Sequence, residues 1–568
     1  MIPNFIETIS YILIGCCIHF IGTLLGNYRK KISVIIEMTL VICVIGYVFY
    51  TKSFLDSFIY LAIVSSSYFA LITVTSGRKK YEEILLEIKD IDVEEIELQR
   101  DFKRIIIDIT LSLFVLSFAM VFLIFGPEGS PLKYVIIISL FTAISEIVKR
   151  VLTYFQVKLY YEEKNDTFFI LSKYESRKFS AKDCDFAQVE STVDMLKLHP
   201  FLTLFMTNTD FTTSIHKVLK LSLPGETIYV TVKELDRMKE ILRENQQLEE
   251  MQQIIVYPFY HRKNIKRLIG KLYFAATVKG ISAYSAVLLL LYYLKAPPWL
   301  MIVVVLAYWL LNIYLSDRVL KVAMDAKKIK DPEIISLTHR MCTRAGIKNV
   351  ELYETESSEF NGLATGMNIG RSMITLTSAT LKLPIHAIEG ILAHEIIHVK
   401  KRDILWGQIC RAIYISIILI FVLMIQKEIT NIDDYKIPLF FVIWFIMMFY
   451  PIYQSFYLQW MEVRADHMGS SLLDGNQEQM AESLRLLTIE QDIALNKSFS
   501  YSMTEAEQKK KVSSLDRDRW FWRLVEFQFM AHPPMYWRVR TLEENNKGWG
   551  KAIVRRWAID RLKESFTK

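Results

Sequence analysis

Apolar runs recur along this chain, separated by short polar or charged stretches. They fall at 8–26, 32–50, 54–75, 105–126, 132–148, 275–294, 298–316, 406–425 and 437–457. Each approaches the roughly 20 residues that a helix needs to cross a ~30 Å hydrocarbon core, so the pattern predicts about nine transmembrane helices. One short run such as 132–148 could be a buried core helix, but the whole set does not fit that reading. Elsewhere the period changes. Short stretches at 157–161, 167–171, 202–206, 218–223 and 227–232 alternate apolar and polar positions and read as strands, followed by a helical pattern over 233–253. That order suggests a small α+β domain, with a pleckstrin-like barrel as one form. Residues 350–353 and 373–376 read as strands, and 387–399 and 460–473 as helices. Residues 81–104 read as a charged surface helix, and the polar stretch 495–518, with Lys509, Lys510 and Lys511, reads as a loop.

Basic residues orient the spans. Arg29, Lys30 and Lys31, then Arg78, Lys79, Lys80, Lys103 and Arg104, then Lys149 and Arg150, then Arg318, Lys321, Lys327, Lys328 and Lys330 occupy alternate loops, while the loops between them are short and poor in basic residues. The positive-inside rule makes the basic loops cytoplasmic, with the N-terminus outside and the C-terminus inside. The first apolar run lacks a preceding basic region and is followed at once by further spans, so it reads as a retained span and not a signal peptide. The expected organisation is a five-span region over 1–150, a soluble cytoplasmic α+β domain over 151–270 and a four-span catalytic domain over 271–568.

Composition agrees with this picture. The chain has 568 residues, 52% of them hydrophobic, with mean hydropathy +0.24, too apolar for an ordinary soluble protein of this length. The net charge of +7 follows from the basic cytoplasmic loops and makes no case for nucleic acid. The six cysteines have no metal-ligand spacing and suggest no disulfide framework. Glu37, Asp108 and Glu146 lie in or near spans, where charged groups are functional candidates by default. Asp108 and Glu146 sit near span ends, within reach of the interface.

The chemistry concentrates at His394-Glu395-Ile396-Ile397-His398. Two histidines four apart on a helix share one face and can hold one metal ion. Zinc suits neutral imidazole ligands, and the adjacent Glu395 can act as general base on a metal-activated water. A zinc peptidase needs a third protein ligand. Glu462 is the strongest candidate, with Asp466 one turn later placed to hydrogen-bond a ligand histidine. Two predicted spans lie between His398 and Glu462. An even number of crossings returns Glu462 to the side of the histidines, so the topology and the metal site agree.

H-E-x-x-H, followed by Val399-Lys400-Lys401-Arg402-Asp403 and then by Glu462-x-x-Ala465-Asp466-x-x-Gly469, resembles the integral-membrane gluzincin peptidases of the HtpX and CaaX prenyl protease type. Asn361-Gly362-Leu363-Ala364-Thr365-Gly366 is similar to that family's N-A-x-A-T-G loop and precedes Ser372-Met373-Ile374-Thr375-Leu376-Thr377, similar to its substrate-binding edge strand; Gly362 stands where many relatives have alanine. His532-Pro533-Pro534 with Arg538 resembles its H-P-P-x-x-x-R segment. The resemblance covers roughly 271–543 and implies a zincin-like α+β catalytic domain. It implies one zinc per chain on His394, His398 and Glu462, catalysis by Glu395, and nearby roles for Asp466, His532 and Arg538, with the last two as candidate oxyanion stabilisers.

The expected fold is therefore a mainly α polytopic membrane protein with two cytoplasmic α+β domains, and the expected function is a zinc metalloendopeptidase in a bacterial cell membrane. Its partners would be a polypeptide substrate and the lipid bilayer. A competing reading is a signal-sensing receptor, or a factor dedicated to one peptide, with the N-terminal region recruiting the ligand. A transporter is disfavoured because the intramembrane acids have no evident partners and the spans no evident repeat. The basic C-terminal stretch 547–568 places Ile553, Trp557 and Leu562 on one helical face, as for a helix lying on an anionic leaflet or, equally, for an ordinary amphipathic packing helix.

Overall fold

A computed structural model describes the chain except for residues 1–4, 27–29, 76, 126–130, 185, 191–207, 216–217, 244–260, 276, 278–286, 288–289, 292–293, 349, 366–371, 429–434, 505–512, 545–547 and 568. The membrane part begins with α1 (Phe5–Gly26), α2 (Lys30–Thr51) and α3 (Phe54–Thr75), which pack through Tyr11, Ile18, Val48, Ile59 and Tyr60. Glu7 at one end of this bundle accepts from Lys52 Nζ at 2.7 Å and from the Tyr60 hydroxyl at 2.9 Å, so its charge is paired. Glu37 lies against Gly22, where a Cβ would come within 1.5 Å of its carboxylate. The short α4 (Arg78–Lys89) follows, then the long α5 (Phe102–Phe125) and α6 (Pro131–Gln156). Among the described residues four helical stretches are long and apolar enough to cross a membrane: Ile6–Leu24, Val34–Thr51, Phe102–Phe125 and Trp299–Ala323. Helices also cover the expected spans at 54–75, 132–148, 406–425 and 437–457, whereas most of 275–294 lies outside the described residues. By its helices the chain is a multi-pass membrane protein.

The small α+β unit does not wait for the fifth span to end. The expected helix over 81–104 stops at Lys89, and Ile91, Val93 and their polar neighbours lead into a strand, β1 (Glu94–Ile96). β1 pairs antiparallel with β2 (Lys158–Glu162), and β3 (Thr167–Leu171) and β4 (Arg177–Ser180) complete a sheet of order β1-β2-β3-β4. A second sheet, ordered β5-β7-β8-β6, comprises β5 (Phe186–Glu190), β6 (Asn208–Phe211), β7 (Val218–Leu223) and β8 (Glu226–Val230). Leu159, Phe168, Ile170, Leu221, Ile228 and Val230 close one core between the sheets, capped by Met238, Ile241 and Leu242 of α7 (Leu235–Arg243). This unit thus takes a strand from before α5 and α6 and the rest from after them, across the boundary expected at residue 150. The strand expected at 202–206 and the end of the helix expected over 233–253 lie outside the described residues.

A buried ionic cluster holds the unit to its two helices. Arg104 on α5 donates to Asp108, to Asp210 Oδ2 at 2.6 Å and to Thr212 Oγ1 at 2.9 Å. Arg150 on α6 reaches Asp108 Oδ2 at 3.2 Å and the Asp210 carbonyl at 3.0 Å. Asp108, noted above as a charge near a span end, is thereby paired with two guanidinium groups.

After α8 (Arg262–Phe274) and α9 (Pro298–Ala323), the C-terminal half opens with β9 (Lys327–Lys328), α10 (Pro332–Ala345), β10 (Glu351–Thr355), β11 (Gly362–Thr365) and β12 (Met373–Thr377). The sheet order is β11-β12-β10-β9, so β12, expected as the edge strand, is interior, and the antiparallel β11 stands at that edge because Gly362–Thr365 pair along it. The helices are α11 (Ile385–Lys401), α12 (Asp403–Glu428), α13 (Lys436–Gly469), α14 (Asn476–Ser502), α15 (Trp520–Phe529), α16 (Met535–Glu544) and α17 (Lys551–Phe566). α11 lies in the core, with Ile388, Leu392 and Ile396 packed on Ile374 and Leu376 of β12 and on Met480 and Leu484 of α14. A Cβ on Gly390 would come within 2.3 Å of Ser483, so the α11–α14 crossing depends on the bare backbone there. The loop expected from 495 is helical to Ser502. The reason is tertiary: Tyr501 is buried in the core of the small α+β unit. Lys220 of β7 pairs with Glu356 beyond β10 and joins the same two domains again. In α17, Ile553 and Trp557 are buried against the protein while Leu562 is exposed, so the three do not share the single face expected of them.

Arg104→Met should leave Asp108 and Asp210 buried without their main cation. The expected loss is about 3–5 kcal/mol, read as a lower unfolding temperature of the detergent-solubilised protein.

Candidate metal centre

Pro384 caps α11 with its fixed φ, and the chain then runs as an apolar helix through both histidines. The helix ends at Arg402, whose φ of 56° is left-handed, and the reversal brings Asp403 at the start of α12 back over the last turn. Asp403 Oδ2 lies 2.7 Å from His398 Nδ1, and Asp466 Oδ1 lies 2.8 Å from His394 Nδ1. A carboxylate at ordinary pH only accepts, so each Nδ1 carries a proton and Nε2 is the atom that can offer a lone pair to a metal. Those two Nε2 atoms are 3.0 Å apart.

Glu462 arrives on α13, a single helix that runs from the predicted span into the catalytic core. Its Oε2 lies 3.4 Å from His394 Nε2 and its Oε1 3.3 Å from His398 Nε2. One donor from each of the three residues falls within 4.8 Å of the others, with all three side chains largely buried. Two imidazole lone pairs and a carboxylate converging on one point fit a divalent metal of the zinc type.

The electrostatics agree with a site built for positive charge. Burial pushes His394 down, but Asp466 and Glu462 outweigh it and raise its pKa to about 8. His398, also depressed by burial, is raised well above its ordinary value by Asp403 and Glu462. Burial raises the Glu462 carboxyl, yet His532, His394 and His398 hold it well below the usual range. In the same way Arg538 and His394 hold Asp466 low against its own desolvation.

Glu395 is turned toward the sheet edge. Its Oε2 accepts from the Ala364 amide of β11 at 2.7 Å, and a Cβ on Gly362 would sit 3.0 Å from its Oε1. The glycine that departs from the alanine of similar proteins therefore lies directly beside this carboxylate. His532, in the turn before α16, is 64% exposed, with Nδ1 2.9 Å from Glu462 Oε2. Arg538 is buried, its guanidinium bidentate on Asp466 at 2.8 and 2.7 Å and 3.6 Å from Glu462. All seven candidate residues thus lie together, but Arg538 directs its donors at Asp466 and not into open space. Sequence reasoning assigned no role to Asp403 or to Arg464, which pairs with Asp403 and stacks 4.4 Å over Trp460. The available signal for Asp403 was an acid five residues after His398, just past a helix end.

Two family models match. Residues 328–546 match Peptidase family M48, and residues 158–246 match the Bacterial PH domain. "Protease HtpX homolog" of Pelotomaculum thermopropionicum is 35% identical over 107 residues, which cover 18% of this chain and 38% of that protein. "Protease HtpX" of Mannheimia succiniciproducens is 22% identical over 41% of this chain and 82% of its own length. The homolog of Bacillus subtilis is 26% identical over 41% of this chain and 77% of its own. The crystal structure of S. mikatae Ste24p aligns with 49% of this chain and 65% of its own at 18% identity, with a TM-score of 0.34.

The raised His394 pKa has a pH consequence for the chelator-treated protein. A folded value of about 8 against an ordinary 6.5 means a contribution to stability that is complete below pH 6.5 and lost as pH rises through about 8. The metal-free unfolding temperature should fall across that window, and His394→Gln should lessen the fall.

Proposed function

We propose that this chain, whose residues 328–546 match Peptidase family M48, is a membrane-embedded zinc metalloendopeptidase that hydrolyses membrane or membrane-associated polypeptides at the cytoplasmic face. The observation that carries the reading is the convergence of His394, His398 and Glu462, beside Glu395, from helices separated in sequence by two membrane-length segments. The printed names of its relatives, proteases of the HtpX type, point the same way.

His394, His398 and Glu462 would hold zinc, which when bound supplies the Lewis acidity that polarises a scissile carbonyl and makes water a nucleophile at neutral pH. Glu395 takes the proton of the attacking water and passes it to the leaving amine as the C–N bond breaks. Asp466 and Asp403 hold the two ligand imidazoles in the required tautomer. Arg538 acts through Asp466 as a positioning residue. His532, exposed and mounted on a turn, is the group free to approach a developing oxyanion. The edge strand β11, beside Glu395, would offer main-chain groups to an extended substrate, a mode indifferent to most side chains.

The proposed topology has about nine spans, the N-terminus outside and the catalytic residues inside, following the basic loops of a bacterial cell membrane. A second reading, in which the N-terminal region recruits or senses one ligand, draws support from the Arg104 cluster that joins α5 and α6 to the small α+β unit. Deleting residues 1–75 separates the two, because general proteolysis survives it and dedicated recruitment does not.

Glu395→Gln should retain stoichiometric zinc and lower hydrolysis of casein by roughly 10²–10⁴-fold. Metal content and rate measured on the same sample check this, and a variant as active as the parent refutes the mechanism. Asp403→Ala should weaken zinc affinity by about 10–100-fold, read by chelator competition.

A further inference from the structure

α15 and α17 each bury one face and still present a second apolar one. The buried faces are Arg523 and Phe527 of α15 and Ile553, Trp557 and Arg561 of α17. These pack the helices on each other and on α13. Away from that contact, α15 exposes Phe521, Trp522 (56%) and Phe529, and α17 exposes Ile559, Leu562 (60%) and Phe566 (71%). In α17 the last three follow Arg555 at helical spacing and make a continuous stripe. Isolated exposed apolar side chains are ordinary on soluble proteins, but two packed helices that both present large ones form a surface seeking a partner.

What covers it follows from where the helices are attached. Ser455 Oγ on α13 donates to the Gln528 carbonyl at 2.7 Å, and Gln459 Nε2 donates to the Glu526 and Met530 carbonyls, both at 2.9 Å. Phe456, 51% exposed, lies between them on α13, its ring centroid 5.0 Å from that of Trp557. Toward its N-terminus the same helix exposes Phe445, Met448 and Phe449, the side that a transmembrane helix turns to lipid. The α15–α17 pair is therefore joined at the end of a lipid-facing surface and extends it.

The charges favour the same occupant. The acids of α17 are engaged: Asp560 accepts from Trp537 Nε1 at 3.0 Å, and Glu564 from Arg517 at 2.8 Å. Arg519, Lys551, Arg555 and Lys563 are exposed. Tryptophan with flanking basic residues is the composition that settles at the headgroup level of an anionic leaflet.

We propose that α15 and α17 form a seat in the bilayer interface, with their exposed apolar faces immersed among anionic lipids beside α13. Met530, held by Gln459, begins the turn that carries His532 to Glu462, so the seat fixes one wall of the metal site at the membrane surface. A polypeptide would then meet the site as it leaves the bilayer.

The test is a depth measurement and is independent of hydrolysis. Phe521→Cys and Leu562→Cys are made in the full-length chain with its native cysteines replaced by serine, spin-labelled and reconstituted in phosphatidylethanolamine–phosphatidylglycerol vesicles. Glu333→Cys, on the exposed side of α10, serves as the aqueous reference. The labels at 521 and 562 should collide severalfold more with oxygen, relative to a water-soluble nickel chelate, than the label at 333. Nickel accessibility equal to that at 333 would overturn the proposal. Shielding from both oxygen and nickel would also overturn it, by showing that protein and not lipid covers the surface.

Discussion

The C-terminal half depends on one buried carboxylate. Asp466 accepts from the Nδ1 of His394 on α11 and from two guanidinium nitrogens of Arg538 on α16, so three helices meet at its two oxygens. Its charge is stable there only because both partners donate to it, and breaking such a buried pair typically costs about 3–5 kcal/mol. The same contact fixes the tautomer that leaves His394 Nε2 open toward Glu462. The stability of the domain and the readiness of the metal site therefore rest on the same few hydrogen bonds.

α13 carries this arrangement to the membrane. It is one helix of 34 residues, apolar in its first half and bearing Glu462 and Asp466 in its second. A rigid helix transmits position along its axis, so the depth of the span sets the depth of the ligand. Gly469, near its end, approaches the backbone of Ala393 on α11 closely enough that a Cβ would lie 3.1 Å from that carbonyl. This close approach brings the second half of α13 against the histidine-bearing helix.

The small α+β unit is tied at both ends. On the membrane side Arg104 and Arg150 bind it to α5 and α6, and on the catalytic side Tyr501 enters its core while Lys220 pairs with Glu356. None of these contacts was legible in the sequence. Arg104 reads as one more basic residue at a span end, and 495–502 reads as polar and loop-like. A helix can continue through such residues when one of them, here Tyr501, gains a core to enter. β1 was hidden for a similar reason: three residues, Glu94–Ile96, show no decisive periodicity and become a strand only because β2 offers a ladder to pair with.

What the chain alone determined is whatever local spacing encodes. Apolar run lengths gave the helices, a short β-rich apolar run gave β3 and alternation gave β7 at their observed limits, and a four-residue interval placed two imidazoles on one face. Tertiary structure decided whatever requires two distant segments to share a low-dielectric space. It turned Asp403 back onto His398, directed Arg538 at Asp466, and left the apolar faces of α15 and α17 outward. Spacing along a chain specifies which way a side chain points within its own helix. Only packing specifies what it meets there, because the cost of an unpaired buried charge or an unfilled apolar face falls on the assembled molecule.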